Sequence, residues 1–557
     1  MNGRNRSGYR AGPRAQGWRS HIAALVVARR GLLGACAAGG LLALAYPRAD
    51  LGPLAFIALV PFLLSLQGTG RGAALSRGYA CGAVFFTTLL CWIPAVMETH
   101  GGLPAPVAWL VLALLVFYLA TYFALFAWLL SATWRHYGPL ALAFSPVAWV
   151  ALEIARGRLL TGFPWGLLGY SQYRNTVLLQ AAAWGGIYAV SFLVLAVNAG
   201  VALLFLRPAA PRQRIAGAAL VVLTVLAHAG GRVLLPGAGR AEGMAGKEIR
   251  VAAIQANVPQ ERKWDPVAAA GTVSDLVRLT RAAASSGARL IVWPESSSPF
   301  SVRRPARDGA PGLTVETNAA YATLLRDLAR SLQADLIVGT VDYRAAGGEL
   351  RAYNSALVIG ADGALAASYD KVHLVPFGEY VPLSRALFFV NRIVRGAIAD
   401  FAPGTRLKPL PTSAGRAGTF ICYEAIFPEI VRRVAGRDAA FLVNITNDAW
   451  FGRTAAPYQH LAMAAVRAAE NRRFMLRAAN TGISALIDPY GRILARTGIE
   501  ESAVLAGALR PRSDRTVYGR CGDLFAWGCA ILTALHAAAL RAAFLRSGFA
   551  RGRTWRK

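Results

Sequence analysis

A multi-pass helical membrane domain carrying an α/β domain is the fold class this sequence predicts, and three observations predict it. Of 557 residues, 55% are hydrophobic and the mean hydropathy is +0.40, too apolar for an ordinary soluble protein and long enough for more than one domain. Apolar runs crowd the first 235 residues and return once after residue 522. Between them, from Lys247 to Arg510, strand-like runs alternate with amphipathic stretches, the texture of an α/β domain.

The apolar part is read first. A span needs about 20 mainly apolar residues, and about eight candidates meet that need. They lie near 31–46, 51–67, 78–96, 105–133, 138–155, 186–206, 214–235 and 522–545, the first being short and rich in Gly and Ala. The expected organisation is a basic cytoplasmic tail (1–30), seven helices (31–235), a catalytic domain (247–510), an eighth helix (522–545) and a second basic tail (546–557). No small-residue cleavage site follows a short apolar core near the start, so the first run reads as a retained span. Arg71, Arg77, Arg135, Arg207, Arg212 and Arg214 mark alternate loops, whereas Met97 to Ala105 has no Lys or Arg. By the positive-inside rule these basic loops and both tails are cytoplasmic and the long polar insert lies outside, a parity that one missed span would reverse. Arg156, Arg158 and Arg174 run against the pattern. The formal charge of +31 thus marks membrane anchoring; no basic helix or zinc-finger spacing accompanies it, which argues against nucleic acid.

Two features of the connection after the fifth span stand out. Gly162 to Gln172 carries Phe163, Trp165 and Tyr170, either an interfacial aromatic belt or a floor for lipid beneath the polar domain. Glu153 and Arg156, just before it, are either a functional pair or interfacial solvation.

In the polar domain, strands are expected over Ile249 to Ala256, Arg289 to Trp293, Asp335 to Val341, Arg416 to Ile421 and Ala440 to Thr446. Ser355 to Ile359 and Ala364 to Tyr369 form a hairpin pair around Ala361-Asp362-Gly363. Helices are expected over Pro266 to Ala284, Tyr321 to Leu332 and Gln459 to Phe474, with a short one starting at Pro428. Ser384 to Phe401 sets Leu387, Phe388 and Phe389 among arginines, and reads as a basic amphipathic lid suited to a phospholipid surface.

Three residues carry the chemistry. Cys422 falls at a strand-to-helix turn and is the only cysteine between Cys91 and Cys521, with no CxxC or Cys/His cluster to suggest a metal. Glu295, in Trp293-Pro294-Glu295, is the base candidate; its apolar neighbours are expected to raise its pKa. Lys371 is one of five lysines among 60 basic residues, so a compact ammonium retained beside a strand end points to a site that needs one. Thiolate, base and cation together suit a thioester intermediate. Cys/His chemistry competes on paper, but His373 and His460 read as core or hydrogen-bonding residues.

These residues resemble a known family. Trp293-Pro294-Glu295, the run Tyr369 to Pro382 around Lys371, and Ile421-Cys422-Tyr423-Glu424 are similar to the Glu–Lys–Cys signature of the nitrilase (carbon–nitrogen hydrolase) superfamily. Asn444 to Gly452, Arg467 to Arg473 and the flanking spans narrow the resemblance to its membrane branch, the apolipoprotein N-acyltransferases of the bacterial inner membrane. The resemblance implies an αββα sandwich and the last step of lipoprotein maturation. Cys422 attacks the sn-1 ester of a phospholipid, Glu295 takes the proton, Lys371 holds the oxyanion, and the amine of a diacylglyceryl-cysteine on an apolipoprotein takes the acyl chain. It further implies supporting or substrate-binding roles for Glu379, Tyr423, Glu424 and Trp264, no metal or other cofactor, and a monomer. A membrane-tethered amidase that passes the acyl group to water, and a transporter with an inactive polar domain, are the alternatives.

Overall fold

The computed structural model describes residues 13–206, 210–235, 247–263, 265–303, 315–346, 349–380 and 401–553. Trp264 and the expected lid from Ser384 through residue 400 lie outside the described residues.

Helices α1 (Pro13–Leu44), α2 (Val60–Ser65), α3 (Arg71–Leu89), α4 (Ile93–Thr99), α5 (Ala105–Tyr137), α6 (Ala141–Arg156), α7 (Ala182–Phe205) and α8 (Pro211–Leu234) precede the polar domain. Among the described residues, four stretches are long and apolar enough to cross a membrane: Ala105–Arg156, Leu178–Phe205, Pro211–Leu234 and Leu524–Arg546. The pair α3 and α4, bent by 46°, makes a fifth if it is one span. The expected spans therefore differ in two places. The first helix starts at Pro13, inside the region expected to be a tail, and the second run is a short apolar piece, Gly52–Ser65, too short to cross as one regular helix.

Glycine contacts fix the directions of these helices. Gly31 packs on Arg77 and Gly39 on the Cys81 backbone, so α1 and α3 run parallel and the chain between them must return along them. Gly78 meets Phe123 and Ala124 while Gly82 meets Ala120, so α3 and α5 are antiparallel. The stretch 105–156 doubles back at Gly138 (φ +57), because Phe123 and Phe126 both meet Trp149. With a glycine at each crossing the backbones approach closely, the packing that membrane helices favour where burial of apolar area gives no drive.

Among the described residues, the polar domain is built on twelve strands: β1 (Ile249–Gln255), β2 (Leu290–Val292), β3 (Asp335–Ala346), β4 (Glu349–Ile359), β5 (Leu365–Asp370), β6 (Leu410–Thr412), β7 (Gly415–Ile421), β8 (Phe441–Thr446), β9 (Met475–Ala479), β10 (Ala485–Ile487), β11 (Ile493–Arg496) and β12 (Ala503–Leu509). They form two six-stranded sheets, ordered β12-β1-β2-β3-β4-β5 and β11-β10-β9-β8-β7-β6. The central strands β1, β2 and β3, and likewise β7, β8 and β9, pair in parallel. Period two divides β1 cleanly. Val251 and Ala253 enter the core between the sheets, and Ala252 and Ile254 enter the core under helices α9 (Pro266–Ser285) and α10 (Val315–Leu332). Strands β6 and β9 to β12 were not expected from the sequence; β6, β9, β10 and β11 span only three to five residues, and the seven-residue β12 does not alternate regularly.

Helices α11 (Pro428–Ala435) and α12 (Ala456–Asn471) cover the second sheet. The last of these joins the two halves of the molecule. Leu461, Ala464, Ala465 and Ala468 face the sheet, while Ala462, Met463, Val466 and Ala469 enter the membrane-domain core. Buried on two sides, α12 has no solvent face, and its polar residues make interdomain bonds: Gln459 Nε2 donates to Pro47 O and Leu89 O, each at 3.2 Å, and Glu470 Oε1 accepts from Ile187 N–H at 2.8 Å. The helix stops at Asn471 because Arg472 turns left-handed (φ +52), three residues short of its expected end. After a short α13 (Val517–Cys521), helix α14 (Leu524–Arg553) leaves the polar domain, with His536 against Thr133 at 2.9 Å.

Candidate active site

Each candidate catalytic side chain sits just beyond the carboxyl end of a strand: Glu295 after β2, Lys371 after β5, Cys422 after β7. Ladder hydrogen bonding stops there, and side chains from different strands can converge. The Glu295 carboxylate is held at both oxygens. Oε1 accepts from Asn354 Nδ2 at 2.7 Å and Lys371 Nζ at 3.3 Å, and Oε2 accepts from Asn447 N–H at 2.7 Å. Lys371, 1% exposed, also donates to Glu379 Oε1 at 2.9 Å. Glu379 Oε1 takes a further bond from Asn354 at 2.8 Å, and its Oε2 one from Val375 N–H at 2.8 Å. One amide thus bridges two carboxylates, and the ammonium bonds to the same two oxygens.

The charges set one another. Burial alone would lower the Lys371 pKa, but the Glu295 and Glu379 carboxylates outweigh it and push it well above its ordinary value. Burial alone would raise Glu295, yet Lys371, then Lys263, then the Asn354 amide bring it below its usual range. The expected upward shift from Trp293 and Pro294 is therefore reversed by Lys371, which was expected at the site, and by Lys263, which was not. Lys263 donates to Glu295 O at 3.0 Å, and burial pulls its ammonium down to about 8.

Cys422 opens a short turn, Cys422–Ile426, with φ +50, a conformation rare for a residue with a side chain. Burial, followed by the Glu295 charge, pushes the pKa of its thiol up, so the proton stays on sulfur at rest. Glu424, fully buried, ties this turn to the lysine loop. It accepts from Ile421 N–H and Val372 N–H, each at 2.7 Å, from His373 N–H at 3.1 Å and from Tyr369 OH at 2.9 Å. Tyr423 is half-buried against Phe427 and His373, with ring centroids 5.3 and 5.9 Å away. His373 is held neutral, pulled down to about 4 by burial and by Lys371. A carboxylate placed to take a thiol proton, with an ammonium beside both, can run acyl transfer through sulfur.

Two family models match the chain. The carbon-nitrogen hydrolase model matches residues 250–516, and the apolipoprotein N-acyltransferase N-terminal domain model matches residues 38–200. A Geobacter metallireducens protein named apolipoprotein N-acyltransferase is 40% identical over 92% of this chain and 95% of its own. The chain belongs to the apolipoprotein N-acyltransferase family. A second family member, from Azotobacter vinelandii, is 39% identical over 88% of this chain and 91% of its own. Among solved structures, Saccharomyces cerevisiae Nit3, of the nitrilase superfamily, is similar at 19% identity and a TM-score of 0.37, covering 50% of this chain and 95% of that one. The family's carbon–nitrogen hydrolase part accounts for the two-sheet fold.

Of the residues expected at the site, Glu295, Lys371, Cys422, Glu379 and Glu424 converge within one hydrogen-bonded network, and Tyr423 borders it. Asn354, Asn447 and Lys263 went unnoticed. Asn447 lay inside the segment Asn444 to Gly452, while Lys263 lay beside Trp264. Asn354 gave no local signal: it is one polar residue in a strand that is read as half of a hairpin.

Proposed function

We propose that this protein transfers an acyl chain from the sn-1 position of a phospholipid, through a thioester on Cys422, to the N-terminal amine of an S-diacylglyceryl-cysteine on an apolipoprotein. The observation that carries the reading is the convergence of Glu295, Lys371 and Cys422 beside α12, a helix shared with the apolar domain. In the first half, Cys422 Sγ attacks the ester carbonyl as its proton passes to Glu295. Lys371 stabilises the oxyanion, and the collapsing intermediate expels the lysophospholipid alkoxide, which takes the proton from Glu295. In the second half, the α-amine attacks the thioester carbonyl, Glu295 accepts the amine proton, and Cys422 leaves and is reprotonated. Glu379 and Asn354 keep the ammonium charged and aimed, Glu424 holds the two loops together, and Tyr423 borders the lipid path.

The same reading sets the molecule in the bacterial inner membrane with its polar domain on the periplasmic side and both tails cytoplasmic. Eight passes are supported if the return of 52–65 along α1, the bent pair and both halves of 105–156 each count as a crossing. Parity then agrees with the basic loops. Cys521, exposed beside the polar domain, tests this: a membrane-impermeant maleimide added to spheroplasts labels it, whereas labelling only after permeabilisation inverts the topology.

Acyl-enzyme trapping tests the reaction. Purified protein is incubated with phospholipid labelled in the sn-1 chain, without acceptor, beside Cys422→Ala. Hydroxylamine-labile label on the unaltered protein alone, passing to the amine of an added diacylglyceryl-peptide, is the expected result. Release of that label to water only would make it a hydrolase, and no label on a folded, inserted protein would remove the enzymatic reading.

A further inference from the structure

The membrane-domain loop between α6 and α7 is built around two charged residues that the reaction does not use. Arg156 donates to Trp165 O at 2.7 Å and Phe163 O at 3.2 Å, and Glu153 Oε1 accepts from Leu168 N–H at 2.7 Å. Tyr46 OH donates to Leu167 O at 2.9 Å. Backbone groups without a helical partner are costly among apolar helices, and these side chains satisfy them. Glu153 and Arg156 therefore form a clamp that fixes the loop, and the loop presents Trp165 and Tyr170 to the polar domain, Tyr170 to Ile426 and Arg467 and Trp165 to the helix residues behind the nucleophile.

Trp165 reaches the nucleophile in two steps. Its Nε1 donates to Gln459 Oε1 at 2.8 Å, and its ring stacks on His460 with centroids 6.1 Å apart at 28°. His460 Nε2 lies 3.0 Å from the carbonyl oxygen of Cys422, which can only accept, so that nitrogen carries the proton. The other nitrogen of His460 is held by Arg477: Nδ1 accepts from Arg477 Nη2 at 3.1 Å, and the same Nη2 donates to Asp448 Oδ2 at 2.7 Å. Because the peptide is planar, gripping the Cys422 carbonyl fixes the whole Cys422–Tyr423 plane at a residue whose φ of +50 is rare for a residue with a side chain.

We infer that His460 is a positioning residue for acyl transfer, and that Trp165, on the clamped membrane-domain loop, holds it in place, so that the membrane domain sets the geometry of the nucleophile. This rests on the thioester reading above. Among the described residues, the hydrogen bonds of His460 and Trp165 reach the Cys422 carbonyl, Arg477 and Gln459, and not Cys422 Sγ, Glu295 or Lys371, so each acts through the turn.

The test uses the full chain in phospholipid nanodiscs and follows the acylation rate of Cys422 from labelled phospholipid. His460→Ala is expected to lower kcat for acylation by about 30-fold, a misplacement effect, with KM within about twofold of the unaltered value. His460→Gln, which keeps a donor for the Cys422 carbonyl, is expected to recover most of that loss. Trp165→Ala is expected to lower kcat as well, and adding it to His460→Ala to cost nothing further, since both act on one element. Unchanged kcat in His460→Ala, no recovery in His460→Gln, or losses that multiply in the double variant would each overturn the inference. If His460→Ala does not fold, Trp165→Phe carries the test: it keeps the stack, loses the indole donor, and an unchanged kcat then counts against the role of the Gln459 bond. Alkylation of Cys422 by iodoacetamide, read in parallel, separates this inference from the thioester reading. If the unaltered protein never acylates, the reaction is wrong, while a shift of alkylation rate in His460→Ala still reports the positioning.

Discussion

At the residue scale, Lys371 is the clearest case of a site that accepts one chemistry only. Its ammonium is 1% exposed and bonds to two carboxylate oxygens that share one asparagine, leaving no room for a planar guanidinium. Lys371→Arg is expected to cut Cys422 acylation by about a hundredfold or more, the scale of losing an oxyanion donor, while the melting temperature moves little. Glu424 predicts differently, because its oxygens face only donors. Glu424→Gln turns one acceptor into a donor against them and is expected to cost about 2 kcal/mol, read as a lower melting temperature. Its ionisation adds a pH signature. Burial raises this carboxyl from an ordinary 4.5 to about 7, so the folded chain binds the proton more tightly than the unfolded one. That contribution is full below 4.5 and gone above 7, so the unaltered protein loses stability with rising pH across this window by a component that Glu424→Gln lacks. Equal pH slopes in the two proteins would show that Glu424 does not titrate there.

At the element scale, α12 governs how the halves meet. Arg467 Nη2 bonds Glu470 Oε1 at 3.0 Å and Tyr170 OH at 3.1 Å, and Glu470 caps the restart of α7 at Ile187, after the break at Gly185 and Gly186. Arg467→Met strands a buried carboxylate and is expected to destabilise the protein by about 3–5 kcal/mol, whereas Arg467→Met with Glu470→Leu recovers much of the loss. Thermal unfolding in detergent checks both, and a double variant as damaged as the single one would show the pair is not the cause. Periodicity made α12 visible as a helix, but a helix with apolar residues on two faces has no single stripe, so the sequence did not reveal which face met the membrane domain. The sequence had a full span over 51–67; the structure has a shorter apolar piece, Gly52–Ser65, and the parallel course of α1 and α3 requires the chain to run back there.

At the scale of the whole molecule, the polar domain is not an independent globule resting on an anchor. Ala462, Met463, Val466 and Ala469 belong to the apolar domain's core, so residues 247–510 produced alone would expose a contiguous apolar face. That fragment is expected to elute as aggregate in size-exclusion chromatography without detergent, and a monodisperse soluble monomer would show that α12 can be covered from within.

Several features of this protein were determined by the sequence alone. Apolar runs and basic loops marked the membrane part, alternating runs marked the sheets, Glu295, Lys371 and Cys422 stood out by residue type and setting, and the family resemblance added Glu379 and Glu424. Such signals are local: hydrophobic period, charge and turn chemistry are written within a few consecutive residues. What the tertiary structure decided was long-range. Asn354 and Lys263 joined the site from other strands and loops, and with Lys371, the largest contributor, they reversed the expected shift of Glu295. His460 and Trp165, 295 positions apart, came into ring contact. Electrostatics and packing depend on distance in space, and the chain order does not record that distance.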